Sequence, residues 1–334
     1  MRRWLTFLLG CCMFAGWSTA RAGNCVASMT DINFGQVTAM SGVDYYASGS
    51  LTVTCTWDAM TGIPPQLLFP NVAVCVGLGA GSNGASPASR VMANGGATIA
   101  FNLYRDGTYA AAAIWGNVAG AAGTQPLTLN LNGLLGLGQV SRTFAVYGKL
   151  PTGALAGAPT TANADTVYTS DFNGHATVHY AFYNLGTPPS CTAGGNSTFA
   201  FKAQATIIND CLITVSPVNF GVNGALLSPV RATSSLSVQC TNGNAYQIAL
   251  NGGTVSGSPA ARHMRKGASP ETVSYKLSAS LDGDSWGDGS AGAPPYTGVG
   301  NGSVQTITVF GVVPVQPTPS PGQYSDRVTA TIYF

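Results

Sequence analysis

The feature that most constrains this chain is written in it twice. Cys25-Val-Ala-Ser-Met-Thr-Asp-Ile-Asn-Phe-Gly35 and Cys211-Leu-Ile-Thr-Val-Ser-Pro-Val-Asn-Phe-Gly221 share one cysteine-to-Asn-Phe-Gly spacing. The next cysteine follows after 30 residues in the first copy and 29 in the second, closing Leu51-Thr-Val-Thr-Cys55 and Leu236-Ser-Val-Gln-Cys240. Farther on, Ala88-Ser-Arg90-Val-Met92 loosely matches Ala261-Arg262-His263-Met264, and Ile99-Ala-Phe-Asn-Leu-Tyr104 matches Val273-Ser-Tyr-Lys-Leu-Ser278. Thr143-Phe-Ala-Val-Tyr-Gly148 likewise matches Thr306-Ile-Thr-Val-Phe-Gly311. One domain has been duplicated in tandem, and 334 residues leave room for about two domains.

Arg2 and Arg3 precede an apolar run from Trp4 to Trp17, and Ala20-Arg21-Ala22 supplies small residues around a cleavage point. Residues 1–22 therefore read as a secretory signal peptide. Leu8-Leu9-Gly10-Cys11 resembles a lipoprotein cleavage box, but too few apolar residues precede it to serve as a signal. Six cysteines remain: Cys25, Cys55, Cys75, Cys191, Cys211 and Cys240. An even number in an exported chain reads as disulfides. Equivalent positions of the repeat give Cys25–Cys55 and Cys211–Cys240, each closing a loop worth about 3.5 kcal/mol in the chain-entropy account. Cys75 and Cys191 have no counterparts in the second copy and pair by elimination, two free thiols being the alternative.

Segments such as 50–55, 97–104 and 304–310 alternate apolar and polar residues between Gly, Pro, Asn and Ser, and no window carries a capped helical period. The expected fold is all-β, two disulfide-stapled β-sandwiches. Only 8% of residues are charged, against about 25% in an ordinary domain. That excludes a nucleic-acid binder, which needs a basic field. One glutamate (Glu271) and three histidines leave little acid–base chemistry. Loss of residues 1–22 removes three arginines and no acid, taking the formal charge from +2 to −1.

The two copies end differently. Residues 324–334 read as a final strand, with Val328, Ala330, Ile332 and Phe334 on one face. In the first copy the equivalent strand, near His175 to Tyr183, is followed by a Gly/Pro linker and a further alternating segment, Thr198 to Ile208. The expected organisation is a first domain over 23–196, completed by 197–210, and a second over 211–334.

The Cys-x(7)-Asn-Phe-Gly opening, the cysteine spacing, the Val-Phe-Gly element before Pro314 and the Tyr324-Ser-Asp…Val-Thr-Ala-Thr-Ile-Tyr-Phe334 ending resemble the spore coat protein U domain family. The resemblance covers the mature chain twice and is strongest over the second copy. That family includes subunits of archaic chaperone–usher pili. Its pilins are incomplete immunoglobulin-like sandwiches, completed by a donor strand from the next subunit. The resemblance thus implies a C-terminal domain needing a donor strand, and as partners a periplasmic chaperone, an outer-membrane usher and the next pilus subunit. Only Gly23 and Asn24 precede Cys25, so the expectation is a chain that accepts a strand and donates none, a two-domain tip adhesin exported through the periplasm to the pilus tip. A structural surface or coat protein of the same family, with no ligand of its own, is the alternative.

Comparing the copies shows what the first domain adds. After Cys55 it inserts an apolar loop with Trp57, Met60, Ile63, Leu67, Leu68 and Phe69. A second loop, 109–118, carries Tyr109, Ile114, Trp115 and Val118, and a third, 151–159, carries Leu155. Surface loops are usually polar, and apolar ones mark interaction sites. Family tip adhesins present hydrophobic finger loops, so the expected ligand is a hydrophobic or host surface. The competing reading packs these loops onto the sandwich or into the interdomain contact. No cofactor or catalytic residue is expected. His175 and His179 would lie about 13 Å apart in a strand, too far to share a metal. The Asp282-Gly-Asp284-Ser-Trp-Gly-Asp288 run lacks the final glutamate of a calcium loop.

Overall fold

The computed structural model describes residues 23–57, 71–120, 123–132, 138–183 and 186–334. It holds two β-sandwiches with separate cores. Domain 1 comprises β1 (Asn24–Met29), β2 (Ile32–Val37), β3 (Tyr45–Trp57), β4 (Asn71–Leu78), β5 (Arg90–Asn94) and β6 (Ala97–Tyr104). It continues with β7 (Leu127–Asn132), β8 (Gly138–Leu150), β9 (Thr166–Asp171), β10 (Ala176–Tyr183), β11 (Gly195–Phe199) and β12 (Lys202–Ile207). Domain 2 comprises β13 (Cys211–Val215), β14 (Val230–Cys240), β15 (Ala245–Leu250), β16 (Arg262–Arg265), β17 (Thr272–Ser278), β18 (Tyr296–Val299), β19 (Gln305–Val313) and β20 (Ala330–Tyr333). A single helical turn, α1 (Gly253–Ser256), follows β15.

One domain 1 sheet runs β1-β3-β8-β6-β5-β9-β12-β2 and faces β11-β10-β4-β7; domain 2 opposes β13-β14-β19-β17-β16 with β18-β15-β20. Strand β4 is an unbroken apolar run because it is central in its sheet and buried on both faces. The repeated cysteines sit directly opposite each other on paired strands, Cys25 to Cys55 and Cys211 to Cys240. Both are disulfide-bonded, and so are Cys75 and Cys191, which tie β4 to the segment after β10.

The Asn-Phe-Gly repeat has a local cause. The Asn33 and Asn219 side chains each accept a hydrogen bond (2.8 Å) from the glycine amide two residues on, at Gly35 and Gly221. Those glycines take φ of +71° and +72°, where a side chain would be strained. The turn delivers the phenylalanine ring onto a second glycine. A Cβ on Gly148 would lie 2.9 Å from the Phe34 ring, and one on Gly311 would lie 2.9 Å from the Phe220 ring. The Asn-Phe-Gly and Val-Tyr/Phe-Gly motifs are thus two halves of one contact, which is why they recur together.

Candidate docking slot and surface loops

The alternating segment after the linker becomes two strands rather than one. Strand β11 pairs with β10, and the chain then crosses to the other sheet, where β12 lies between β9 (antiparallel) and β2 (parallel). Phe199, Phe201, Ala203, Ala205 and Ile207 all point inward and are buried. Phe201 stacks on Phe172 with ring centroids 4.5 Å apart. Each large side chain buried here contributes roughly 1.5–3 kcal/mol.

Domain 2 has the flanks of this slot without its occupant. Residues 217–222, the counterpart of β2, carry no strand. On the opposite flank only Ser325 pairs, as an isolated bridge to Arg265. The expected final strand is regular only over β20, which pairs with β15. The reason is twofold: 324–328 has no neighbour in the slot, and the Asp326 carboxylate is held by the Thr254 amide and hydroxyl and by the Tyr275 hydroxyl. Val328, Ala330 and Ile332 are half-buried against the domain 2 core, whereas Phe334 is exposed. Val218, Phe220 and Tyr324 are half-buried where Ile32, Phe34 and Tyr168 of domain 1 are buried. Among the described residues no strand fills this slot.

The surface-loop residues divide. Trp57 ends β3, opposite Gly138. Met60, Ile63, Leu67, Leu68 and Phe69 lie outside the described residues. Tyr109, Ile114 and Val118 are half-buried. Trp115 and Leu155 correct the expectation of exposed binding residues, because both are buried in the domain 1 core. The second loop lies flat because its backbone is stitched to both neighbours. The Trp115 amide donates to Leu103 (2.9 Å), and the Gly116 carbonyl accepts from Leu78 (2.9 Å). The Trp115 indole donates to the Val76 carbonyl (2.8 Å), beside the last pair of β4 with β7.

The third loop seals the domain junction. Its Gly157 carbonyl accepts from the Asn242 side chain (2.9 Å), Pro159 bridges Asn242, and the Thr160 hydroxyl donates to Asn244. Gly302, at φ +75°, lies so close to Ala156 that no Cβ would fit.

Sequence reasoning missed the partner of Trp115. In domain 2 Trp286 is buried and donates to the Ile248 carbonyl (2.7 Å). Both tryptophans accompany a buried arginine, and only the Arg90–Arg262 match hinted at this. Arg90 donates to the carbonyls of Leu78, Gly79 and Trp115 and to Asn102; Arg262 donates to those of Leu250, Asn251, Pro259 and Trp286. Burial pushes the Arg90 pKa down to about 9 and lowers that of Arg262. Burial, with the Asp326 hydrogen bond, drives the Tyr275 phenol far up. These groups are structural. Among the described residues no three His, Cys, Asp or Glu side chains gather as a metal site.

Among solved structures, the chain is similar to the CsuC-CsuE chaperone-tip adhesion subunit pre-assembly complex of the archaic chaperone-usher Csu pili of Acinetobacter baumannii. The identity is 17%, over 93% of this chain and all of that one, with a TM-score of 0.48. A chaperone–tip adhesin complex of CFA/I fimbriae is 12% identical over 91% of this chain and 94% of that one, with a TM-score of 0.31. Protein U of Myxococcus xanthus is 37% identical over 129 residues, 35% of this chain and 71% of that protein. The Spore Coat Protein U domain model matches residues 15–170 and again 197–331, one match for each copy of the repeat. The chain belongs to the Spore Coat Protein U domain family.

Proposed function

We propose that this chain is the distal tip subunit of a chaperone–usher pilus, exported through the periplasm and displayed at the cell surface. The carrying observation is the contrast between the two slots. In domain 1 the chain's own β12 fills the place between β9 and β2; the matching place in domain 2 is vacant among the described residues. In this reading the vacant slot, with the half-buried face of Val328, Ala330 and Ile332 beside it, receives first the periplasmic chaperone and then, at the outer-membrane usher, the donor strand of the next subunit. Domain 1, already complete, faces outward and attaches the fibre to a hydrophobic or host surface through the apolar insert after Cys55 and the loop 109–118, with Trp57 and Leu68 of the first and Ile114 of the second as leading residues.

The test adds a synthetic peptide with the sequence of a shaft subunit's N-terminal extension to the full chain. The domain 2 melting transition rises and that of domain 1 stays; an unmoved domain 2 transition refutes the docking reading. Polar replacement of Trp57, Leu68 and Ile114 is expected to reduce attachment to polystyrene in normally assembled fibres. Unchanged attachment refutes the adhesive half. The family description favours a second reading, a coat or surface component with no ligand, and a soluble monomer stable without chaperone or donor peptide would support it.

A further inference from the structure

On the outer face of domain 1, away from both slot and insert, four tyrosines converge. Tyr46 on β3 stands beside Lys149 on β8, and Tyr147 on β8 stands beside Tyr104 on β6. Tyr109, in the turn after β6, packs tilted against Tyr46 (centroids 4.7 Å apart, planes at 56°) and edge-to-face against Tyr104 (5.4 Å, 75°) and Tyr147 (6.1 Å, 84°). It gets there with φ at +54°, a left-handed conformation unfavourable for so bulky a residue. Tyr104 forms the floor at 9% exposure, and Tyr46 is open at 53%. Among the described residues none of the four hydroxyls has a protein hydrogen-bond partner. Burial raises the Tyr104 and Tyr109 pKa values. Beside the rings the Lys149 ammonium lies 5.9 Å from the Tyr46 centroid and 2.8 Å from the Asp44 carboxylate.

The duplicated domain is an internal control. At the same register positions domain 2 has Arg231 opposite Val312 and Ser278 opposite Phe310. There Arg231 spans the face and donates to both oxygens of Asp282 (3.0 and 3.1 Å). The fold therefore does not require an aromatic cluster on this face. Aromatic rings favour an apolar ligand face, and unpaired hydroxyls beside an ion pair favour a ligand rich in hydroxyls. A bare hydrocarbon would desolvate the hydroxyls and the ion pair without replacing their hydrogen bonds. A proline-rich peptide would use the rings and little else. A β-linked pyranose chain meets both demands, because its equatorial hydroxyls leave an apolar C–H face on the ring.

We propose that Tyr46, Tyr109 and Tyr147, over the Tyr104 floor and beside the Asp44–Lys149 pair, form a binding site for an uncharged β-linked glycan. The site is independent of the domain 2 slot, so its failure leaves the docking reading untouched. The test is isothermal titration of the full mature chain with cellohexaose and chitohexaose, with maltohexaose and decaproline as controls. One of the β-linked hexamers binds, at least tenfold more tightly than maltohexaose. Tyr46→Ala weakens that binding at least tenfold, Tyr46→Phe weakens it only a few-fold, and Arg231→Ala in domain 2 leaves it unchanged, with unaltered melting curves showing that the variants fold. The proposal is overturned if neither hexamer binds at millimolar concentration, if decaproline binds instead, or if Tyr46→Ala and Lys149→Met both bind like the parent.

Discussion

Replacing Trp115 by alanine separates a structural ring from an adhesive one. Trp115 is completely buried, and its indole is bonded to the Val76 carbonyl. Removing a buried tryptophan costs about 3–5 kcal/mol through lost transfer energy and the cavity left behind. The Val76 carbonyl, left without its donor in a buried place, adds about 1 kcal/mol. The backbone carbonyl that receives Arg90 survives the substitution, so the guanidinium keeps its acceptors. A total of about 4–6 kcal/mol is a large part of the roughly 5–15 kcal/mol that holds a domain together. For a domain of this size it lowers the melting temperature by roughly 10–20 °C. Calorimetry of the full chain resolves the consequence: the domain 1 transition falls and that of domain 2 stays. Trp286→Ala reverses the pattern. A Trp115→Ala protein melting within two or three degrees of the parent, with weakened attachment to hydrophobic plastic, would refute this reasoning and return the ring to the surface.

Replacing Cys75 and Cys191 by serine opens a loop of 116 residues, and the chain-entropy account sets the loss at up to about 5 kcal/mol, confined to the domain 1 transition. Gly148→Ala and Gly311→Ala each push a Cβ to 2.9 Å from a phenylalanine ring; denaturant melts are expected to show about 1–3 kcal/mol of overpacking cost in the domain carrying the change, and unchanged midpoints would show that the motif contact is dispensable. The Ser320 hydroxyl and amide and the Tyr324 hydroxyl hold the Glu271 carboxyl below its usual range. Because the folded pKa is lowered, that stabilisation is full above the ordinary glutamate value and is lost as pH falls through the lowered one. Glu271→Gln is expected to flatten this part of the acid limb in pH-dependent melting of domain 2, and an acid limb identical to the parent's would count against it.

The repeat was legible because its residues answer local demands that leave no choice of side chain. An asparagine must accept from the glycine amide, a glycine must take positive φ, a second glycine must lie under the ring, and cysteines must oppose each other on paired strands. Such demands survive insertion and drift. The Trp115–Trp286 equivalence was not legible, because each tryptophan is placed by a bond to a distant carbonyl and the segments that carry them differ in length and composition. The fate of the loops was illegible for a related reason. An apolar loop lies flat when its backbone groups find partners and projects when they do not. Only the folded arrangement of Leu78, Leu103 and Gln125 decides that for 109–118.

Nearly identical segments take different states in one chain for the same physical cause. Ile32-Asn-Phe-Gly-Gln-Val37 is a strand, and Val218-Asn-Phe-Gly-Val-Asn223 is not, although both make the same turn and seat the same ring. Strand structure belongs to pairs of segments. β2 has the neighbour β12, and 218–223 has none among the described residues. The difference reaches the core: Ile99, Leu103 and Val146 are exposed by at most 1%, while their counterparts Val273, Leu277 and Val309 are exposed by 6–7%. Two unpaired flanks over a leaking core are an association hazard for any free sandwich. In domain 1 the slot is filled by β12, with Phe201, Ala203, Ala205 and Ile207 inward at every other position and the strand parallel to β2, and that pairing is what makes Ile32–Val37 a strand and closes the core above it.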